Sequence, residues 1–354
     1  MAKNPEYKDM FCNNSQIASI ETSILDQGPG KSVRIAWINT GSGLRYKVVL
    51  DRALDIVDAF FNQHSLTWLS EAGITKPGTG EENGNGWLTR WAGGLVTTCG
   101  LTHIGGSEKD GDTERGLHGK ISNVPAIVES IIQPDIIAGK NEMSITAITK
   151  QADALGTNLQ LRRTISSTVG QPSIKIKDVV TNLSSSPAPH MILYHCNFGW
   201  PLVAPGVDII LNGKYQPMSG EMHHEVFNSK NNFKKCAKPR NDNEKGFQGC
   251  ALVDLKTDRN GCCLAGICNK KLGLGIAMKY KKAQLPVLTN WQLWKKGDYI
   301  TALEPGTNGP IGQNAAKKQK ELIYLAPGKS RTYEIEFTVL TGKKQIDSFI
   351  KSAS

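Results

Sequence analysis

The sequence predicts an all-β fold, one large antiparallel domain with little helix, and three observations carry that prediction. Apolar and polar residues alternate with period two in segment after segment, which puts one set of side chains on each face of a strand. Clusters rich in Gly, Asn, Pro and Ser separate those segments and supply the turns that antiparallel strands need. No strand–helix rhythm of the kind that builds a doubly wound parallel sheet runs through the chain.

In chain order, residues 1–30 read as an N-terminal extension or edge segment. Strands are expected at 32–39 and 44–50, then two turn clusters, Lys76-Pro77-Gly78-Thr79-Gly80 and Asn83-Gly84-Asn85-Gly86, where Gly allows the positive φ of a tight turn. Further strands are expected at 143–150, at Leu159-Gln160-Leu161-Arg162, at Ile174-Lys175-Ile176-Lys177 and at 191–198. The polar stretch 228–245 reads as a long exposed loop, after which strands resume at 274–279 and 299–304. The clearest alternation is Tyr333, Ile335, Phe337 and Val339 interleaved with Thr332, Glu334, Glu336 and Thr338. Residues 343–354 read as a short C-terminal helix or tail, with Ile346, Phe349 and Ile350 spaced to form one apolar stripe. With no internal repeat and no composition break, 31–342 reads as one domain.

Hydrophobic residues at 39% and charged residues at 21% match ordinary globular usage, which excludes a disordered or fibrous chain. The formal net charge of +10 raises the local concentration of any anionic partner, whether nucleic acid, lipid or small molecule. Its lysines fall in separate clusters, however, with no zinc finger, RNA-binding aromatic motif or basic amphipathic helix, so neither nucleic acid nor a membrane is expected as a partner. The start lacks a signal-peptide pattern and no long apolar run follows, so the expected location is cytoplasmic. Eight cysteines are scattered without a CxxC pair, which suits reduced thiols and gives no reason to expect a disulfide framework, a metal or a cofactor.

Three constellations set an ionisable side chain beside turn residues and aromatics, the usual composition of a small-ligand cleft. In Arg115-Gly116-Leu117-His118-Gly119-Lys120, the flanking glycines let the backbone bend closely around whatever His118 touches, although a loop His also serves structure alone. In Leu193-Tyr194-His195-Cys196-Asn197-Phe198, strand periodicity puts His195 and Asn197 on one face with Leu193, so both can look into one pocket; a buried His satisfied by Asn197 or a backbone carbonyl is the alternative. In the segment from Trp291 to Asn308, Glu304 ends an apolar strand, where desolvation would raise its pKa toward general-base range unless it sits solvated at the turn. Trp291 offers a flat ring for the C–H face of a pyranose. Arg52, in Asp51-Arg52-Ala53-Leu54-Asp55, and Arg90, between two tryptophans, suit a hydroxyl-rich or anionic ligand, while an Arg52–Asp55 ion pair is the structural alternative.

GLHG, YHCNFGWP and ALEPGTN, in that order, resemble the galactose mutarotase (aldose 1-epimerase) superfamily. DRALDI, GGLVTTCGL, GLHGKISN, LYHCNFGWPL, LGLGIAMKY and LEPGTNGPIG are similar to a bacterial branch of it classed as a domain of unknown function, and the likeness runs over about residues 34–337. It implies a large antiparallel β-supersandwich of the galactose mutarotase type, with a sugar cleft on its concave face. It also implies that His195 is the acid protonating the ring oxygen, that Glu304 takes the proton of the anomeric hydroxyl, and that His118 and an upstream Arg, matched by Arg90, hold the sugar. The segment after His195 is poorer in aromatics than the family pattern, and Gly306-Thr307-Asn308 replaces the usual Pro-Asp.

Anomer interconversion needs one proton placed on the ring oxygen and another removed from the anomeric hydroxyl, so one acid and one base suffice. His195 and Glu304 are expected to bracket a pyranose, both poised near neutral pH. The charge excess and the motif departures point to an anionic or otherwise atypical sugar. Two alternatives stand beside this reading: an epimerase or lyase acting on an acidic or unusual sugar, and a non-catalytic carbohydrate sensor on the same scaffold.

Overall fold

A computed structural model describes residues 7–78, 83–241 and 243–353. Thr79 and Gly80 of one expected turn, and residues 1–6 and 354 of the expected terminal segments, lie outside them. Strands take 48% of the chain and helix 11%, which makes it all-β.

One sheet has seven strands: β1 (Thr97–Leu101), β2 (Ala188–Phe198), β3 (Gly213–Pro217), β4 (Gln248–Leu255), β5 (Val287–Trp294), β6 (Tyr299–Gly306) and β7 (Ile323–Leu325). They run in the order β3-β4-β5-β6-β2, with β1 and β7 both pairing with β2, and the pairings between them are antiparallel. Facing it is an eight-stranded sheet whose central strands are Asn158–Thr168, Ser173–Asn182, Ser330–Thr341 and Leu274–Lys281. A five-stranded sheet spans Ser19–Ile24 to His64–Ser65.

The alternation read from the sequence builds the core between these sheets. Tyr333, Ile335, Phe337 and Val339 are all buried, as are Ile174, Ile176 and Val180 on the neighbouring strand. Each such side chain contributes about 1.5–3 kcal/mol on leaving water, so the repeated pattern outweighs any single member. Strand β2 is buried on both faces: Tyr194, Cys196 and Phe198 enter the main core, while Leu193, His195 and Asn197 face the other way. A helix, α1 (Gly342–Ser352), closes the chain with Ile346 and Phe349 packed against Cys268 and Leu340. Among the described residues no helix is long and apolar enough to cross a membrane.

Candidate active site

The register of β2 with β6 pairs Leu193 with Gly306 and Cys196 with Leu303, which sets His195 directly across from Glu304. On its other side His195 is paired with Thr97 of β1, and Glu304 is paired with Thr289 of β5. Thr97, His195, Glu304 and Thr289 therefore form one row across the sheet, on the same face. Trp291 stands one step along β5, opposite Ala302. His195 Nε2 and Glu304 Oε1 lie 3.2 Å apart, and the two residues are 5% and 3% exposed. They touch rather than bracket a sugar-sized gap, because directly opposed positions on neighbouring antiparallel strands leave no room between their side chains.

Aromatic rings wall the pair. Trp91 meets the His195 ring edge-on at 4.9 Å, and Trp87 stacks on Trp91 at 4.9 Å. Trp68 lies 5.1 Å from Trp91, while Trp291 lies 5.7 Å from His195. His118 comes within 5.8 Å of His195, ring to ring, and 4.9 Å of Trp87. It is held there in a left-handed conformation, φ 58°, by an N–H donated to the Gly105 carbonyl and a carbonyl accepting from Gly100 N–H. Gly119 beside it is required: a Cβ there would lie 2.5 Å from the Gly100 carbonyl oxygen. A non-glycine residue kept at positive φ stores strain of the kind found at binding sites.

Burial sets the protonation states. The Glu304 carboxyl is pushed up to about 8 by desolvation. Desolvation, reinforced by His118, pushes His195 well below the usual imidazole value, and burial likewise takes His118 down to about 4. His195, not Glu304, departs from the expectation that both groups are poised near neutral pH. His195 Nδ1 is also buried without a hydrogen-bond partner, and a neutral ring that accepts at Nε2 carries its own proton there. The resting pair is best described as a neutral carboxylic acid and a neutral imidazole sharing one proton.

The remaining sequence-predicted residues divide. Asn197 sits behind the pair, its Nδ2 donating to the carbonyls of Gly94 and His195 and its Oδ1 buried without a partner. Arg52 and Arg90 line a small cavity of about 10 Å³ with Asp55, Thr75 and Thr97, and so approach the row only through Thr97. Arg90 donates to the Lys76 carbonyl and covers Gly78. The Arg52–Asp55 ion pair that stood as the structural alternative does not form: Arg52 donates to Thr75, and the ion-pair partner of Asp55 is Arg163. Sequence reasoning missed Trp68 and Thr289. Neither carried a signal, since a lone Trp and a Thr inside an apolar strand both read as core.

The profile of Domain of unknown function (DUF4432) matches residues 30–339. No curated protein sequence matches the chain. Among solved structures, a Klebsiella pneumoniae subsp. pneumoniae MGH 78578 protein, provisionally described as an aldose 1-epimerase, is 24% identical over 97% of this chain and 90% of its own, with a TM-score of 0.87. A galactose mutarotase-like protein from Clostridium acetobutylicum is 14% identical over 92% of this chain and 99% of its own, with a TM-score of 0.61. Galactose 1-epimerase from Lactobacillus acidophilus NCFM is 12% identical over 92% of this chain and 100% of its own, with a TM-score of 0.60. The fold is that of the galactose mutarotase-like proteins.

Proposed function

The chain belongs to the DUF4432 family, and from its galactose mutarotase-like fold and its buried acid–base pair we propose that it is a carbohydrate-binding isomerase interconverting the anomers of a reducing sugar. The observation that carries the reading is the contact of His195 Nε2 with Glu304 Oε1 at 3.2 Å, on opposed strand positions beneath a wall of tryptophans. The two oxygens that exchange protons in a hemiacetal share one carbon, so a contacting pair can serve both. With one proton between them, the pair already holds one donor and one acceptor. In the direction that the family likeness implies, Glu304 first passes its proton to His195. The imidazolium protonates the ring oxygen while the carboxylate takes the hydroxyl proton; the C–O ring bond breaks, the aldehyde turns, and closure returns both protons. The reverse assignment balances equally. His118, Trp291 and Asn197 are proposed to position the sugar. All eight cysteines are free thiols, which suits a reducing compartment such as the cytoplasm.

Freshly dissolved single anomers followed by polarimetry test this. The protein should bring at least one reducing sugar of a panel to anomeric equilibrium faster than buffer alone. Binding without acceleration across the panel would replace the isomerase with a sugar sensor.

One observation favours an anionic sugar as a second reading. Arg52 is buried, its side chain donates to Thr75, and it lines a small cavity with Asp55 and Thr97. An anionic group drawn by Arg52 should bind less tightly as salt rises, whereas a neutral sugar should not.

A further inference from the structure

Two segments outside the strand row complete the wall of the site: 103–118, which leads into His118, and 307–318, which follows β6 and ends in the short helix Gln313–Lys318. Ile104 and Leu117 of the first and Ile311 and Ala316 of the second pack in one apolar cluster with Trp87 and Trp91. The first segment contains a hairpin, Glu108–Asp110 paired with Thr113–Arg115, whose side chains are mostly exposed. A two-stranded hairpin that buries so little is marginal by itself, so polar ties decide where it sits. Glu108 supplies the strongest of them. Its two carboxylate oxygens accept from the Asn314 N–H at 3.1 and 3.2 Å, and Oε1 accepts from Arg115 Nη1 at 3.2 Å, on the strand that leads to His118. Such charge-assisted bonds are roughly twice as strong as neutral ones. Gly312 makes room for the carboxylate, since a Cβ there would lie 2.5 Å from Glu108 Oε2. His103 adds a second tie, donating from Nε2 to the Gly106 carbonyl at 2.8 Å and accepting at Nδ1 from Gln313 N–H at 3.4 Å. Gly105, between these anchors, donates its N–H to His118 Nδ1 at 3.4 Å and accepts from His118 N–H at 2.9 Å.

We infer that Glu108 is a positioning residue, which clasps the hairpin to the segment after β6 and, through Gly105, holds His118 against the row that carries His195 and Glu304. It touches neither histidine of the site. Where a rate is predicted, the inference rests on the anomer-exchange reading; the placement of His118 can be read without a sugar. Burial pushes the His118 ring down to about 4, so a hairpin released from its clasp should admit water and return that ring toward its ordinary value.

The test combines histidine NMR titrations with anomer exchange of D-glucose and D-galactose for wild type, Glu108→Ala, Glu108→Gln, His118→Asn and the double variant of Glu108→Ala with His118→Asn. Asn tolerates the left-handed conformation at 118, and the resonance that His118→Asn lacks identifies the ring. In wild type that ring should stay neutral across about pH 5–8, and in Glu108→Ala it should titrate within that window. The same substitution should lower kcat/KM by about tenfold or more, because small misplacements of a substrate-holding group are costly. In the His118→Asn background it should cost less than about twofold, since a residue acting through His118 has nothing left to position. Glu108→Gln keeps the shape and an oxygen for the Asn314 N–H, and should restore most of the rate and a neutral ring. If Glu108→Ala does not fold, Arg115→Met breaks the same tie from its other end and carries the same expectations. An unmoved His118 titration overturns the inference, as does a rate loss of equal size in both backgrounds, the mark of a structural role alone. A wild type that exchanges neither sugar counts against the anomer-exchange reading, and the His118 titration then decides the positioning role by itself.

Discussion

The burial of Glu304 costs stability once its carboxyl would otherwise ionise. Its carboxyl sits near 8 in the folded chain against an ordinary value of 4.5, so between those pH values the folded protein keeps a proton that the unfolded chain has lost. Stability must therefore fall as pH rises through that window and level off above it. Glu304→Gln removes the penalty and should stabilise the protein at pH 8 by on the order of a few kcal/mol, with little effect at pH 4, as read by denaturant melts at the two pH values. Activity should fail on the alkaline side near pH 8, where the pair loses its shared proton; an alkaline limit well above that would contradict this protonation scheme. His118, His195 and Glu304 were legible in the sequence because each is an ionisable residue set in turn or apolar surroundings. Glu108 was not, since Asn314, the partner that gives it a role, lies 206 residues further along the chain.

At the scale of elements, period two told which residues of β2 share a face but not which neighbours they meet. Segments 191–198 and 299–304 were both read as strands, and His195 was placed with Leu193 and Asn197, as found. Their mutual register came from long-range pairing that no local pattern encodes, which is why the direct contact of His195 with Glu304 was not foreseen. The end of β2 also fixes the aromatic wall: a Cβ at Gly199 would lie 2.7 Å from Trp68 Cα and 2.9 Å from its nitrogen. Backbone cannot give way as a flexible side chain can. Gly199→Ala should thus shift Trp68 and Trp91 and change the near-ultraviolet circular dichroism, with a several-fold loss of activity. An unchanged spectrum with full activity would show that the wall tolerates the displacement.

Across the whole molecule, a buried ionic network joins the sheets behind the site. Arg163 grips Asp178 through Nε at 2.9 Å and Nη2 at 2.6 Å, reaches Asp55 at 3.4 Å, and shares Asp178 with the Tyr194 hydroxyl of β2 at 2.6 Å. It thereby ties the eight-stranded sheet to the strand that carries His195 and to the five-stranded sheet. Arg163→Met leaves Asp178 and Asp55 without their cation and should cost about 3–5 kcal/mol in chemical denaturation. A loss under 1 kcal/mol would mean that the carboxylates find other partners. The sequence pattern disclosed the β class, whereas this network was hidden, because Arg163 and Asp178 sit in alternating strands that read equally well as solvated edges. The proposed anomer exchange rests on one pair of residues in the seven-stranded sheet. The most direct test is magnetisation-transfer NMR between the two anomers of a bound reducing sugar with wild type, His195→Asn and Glu304→Gln. The account predicts near-normal binding by both variants, with exchange slowed by a factor of about a hundred to ten thousand. Variants that bind and exchange anomers as fast as wild type would contradict it.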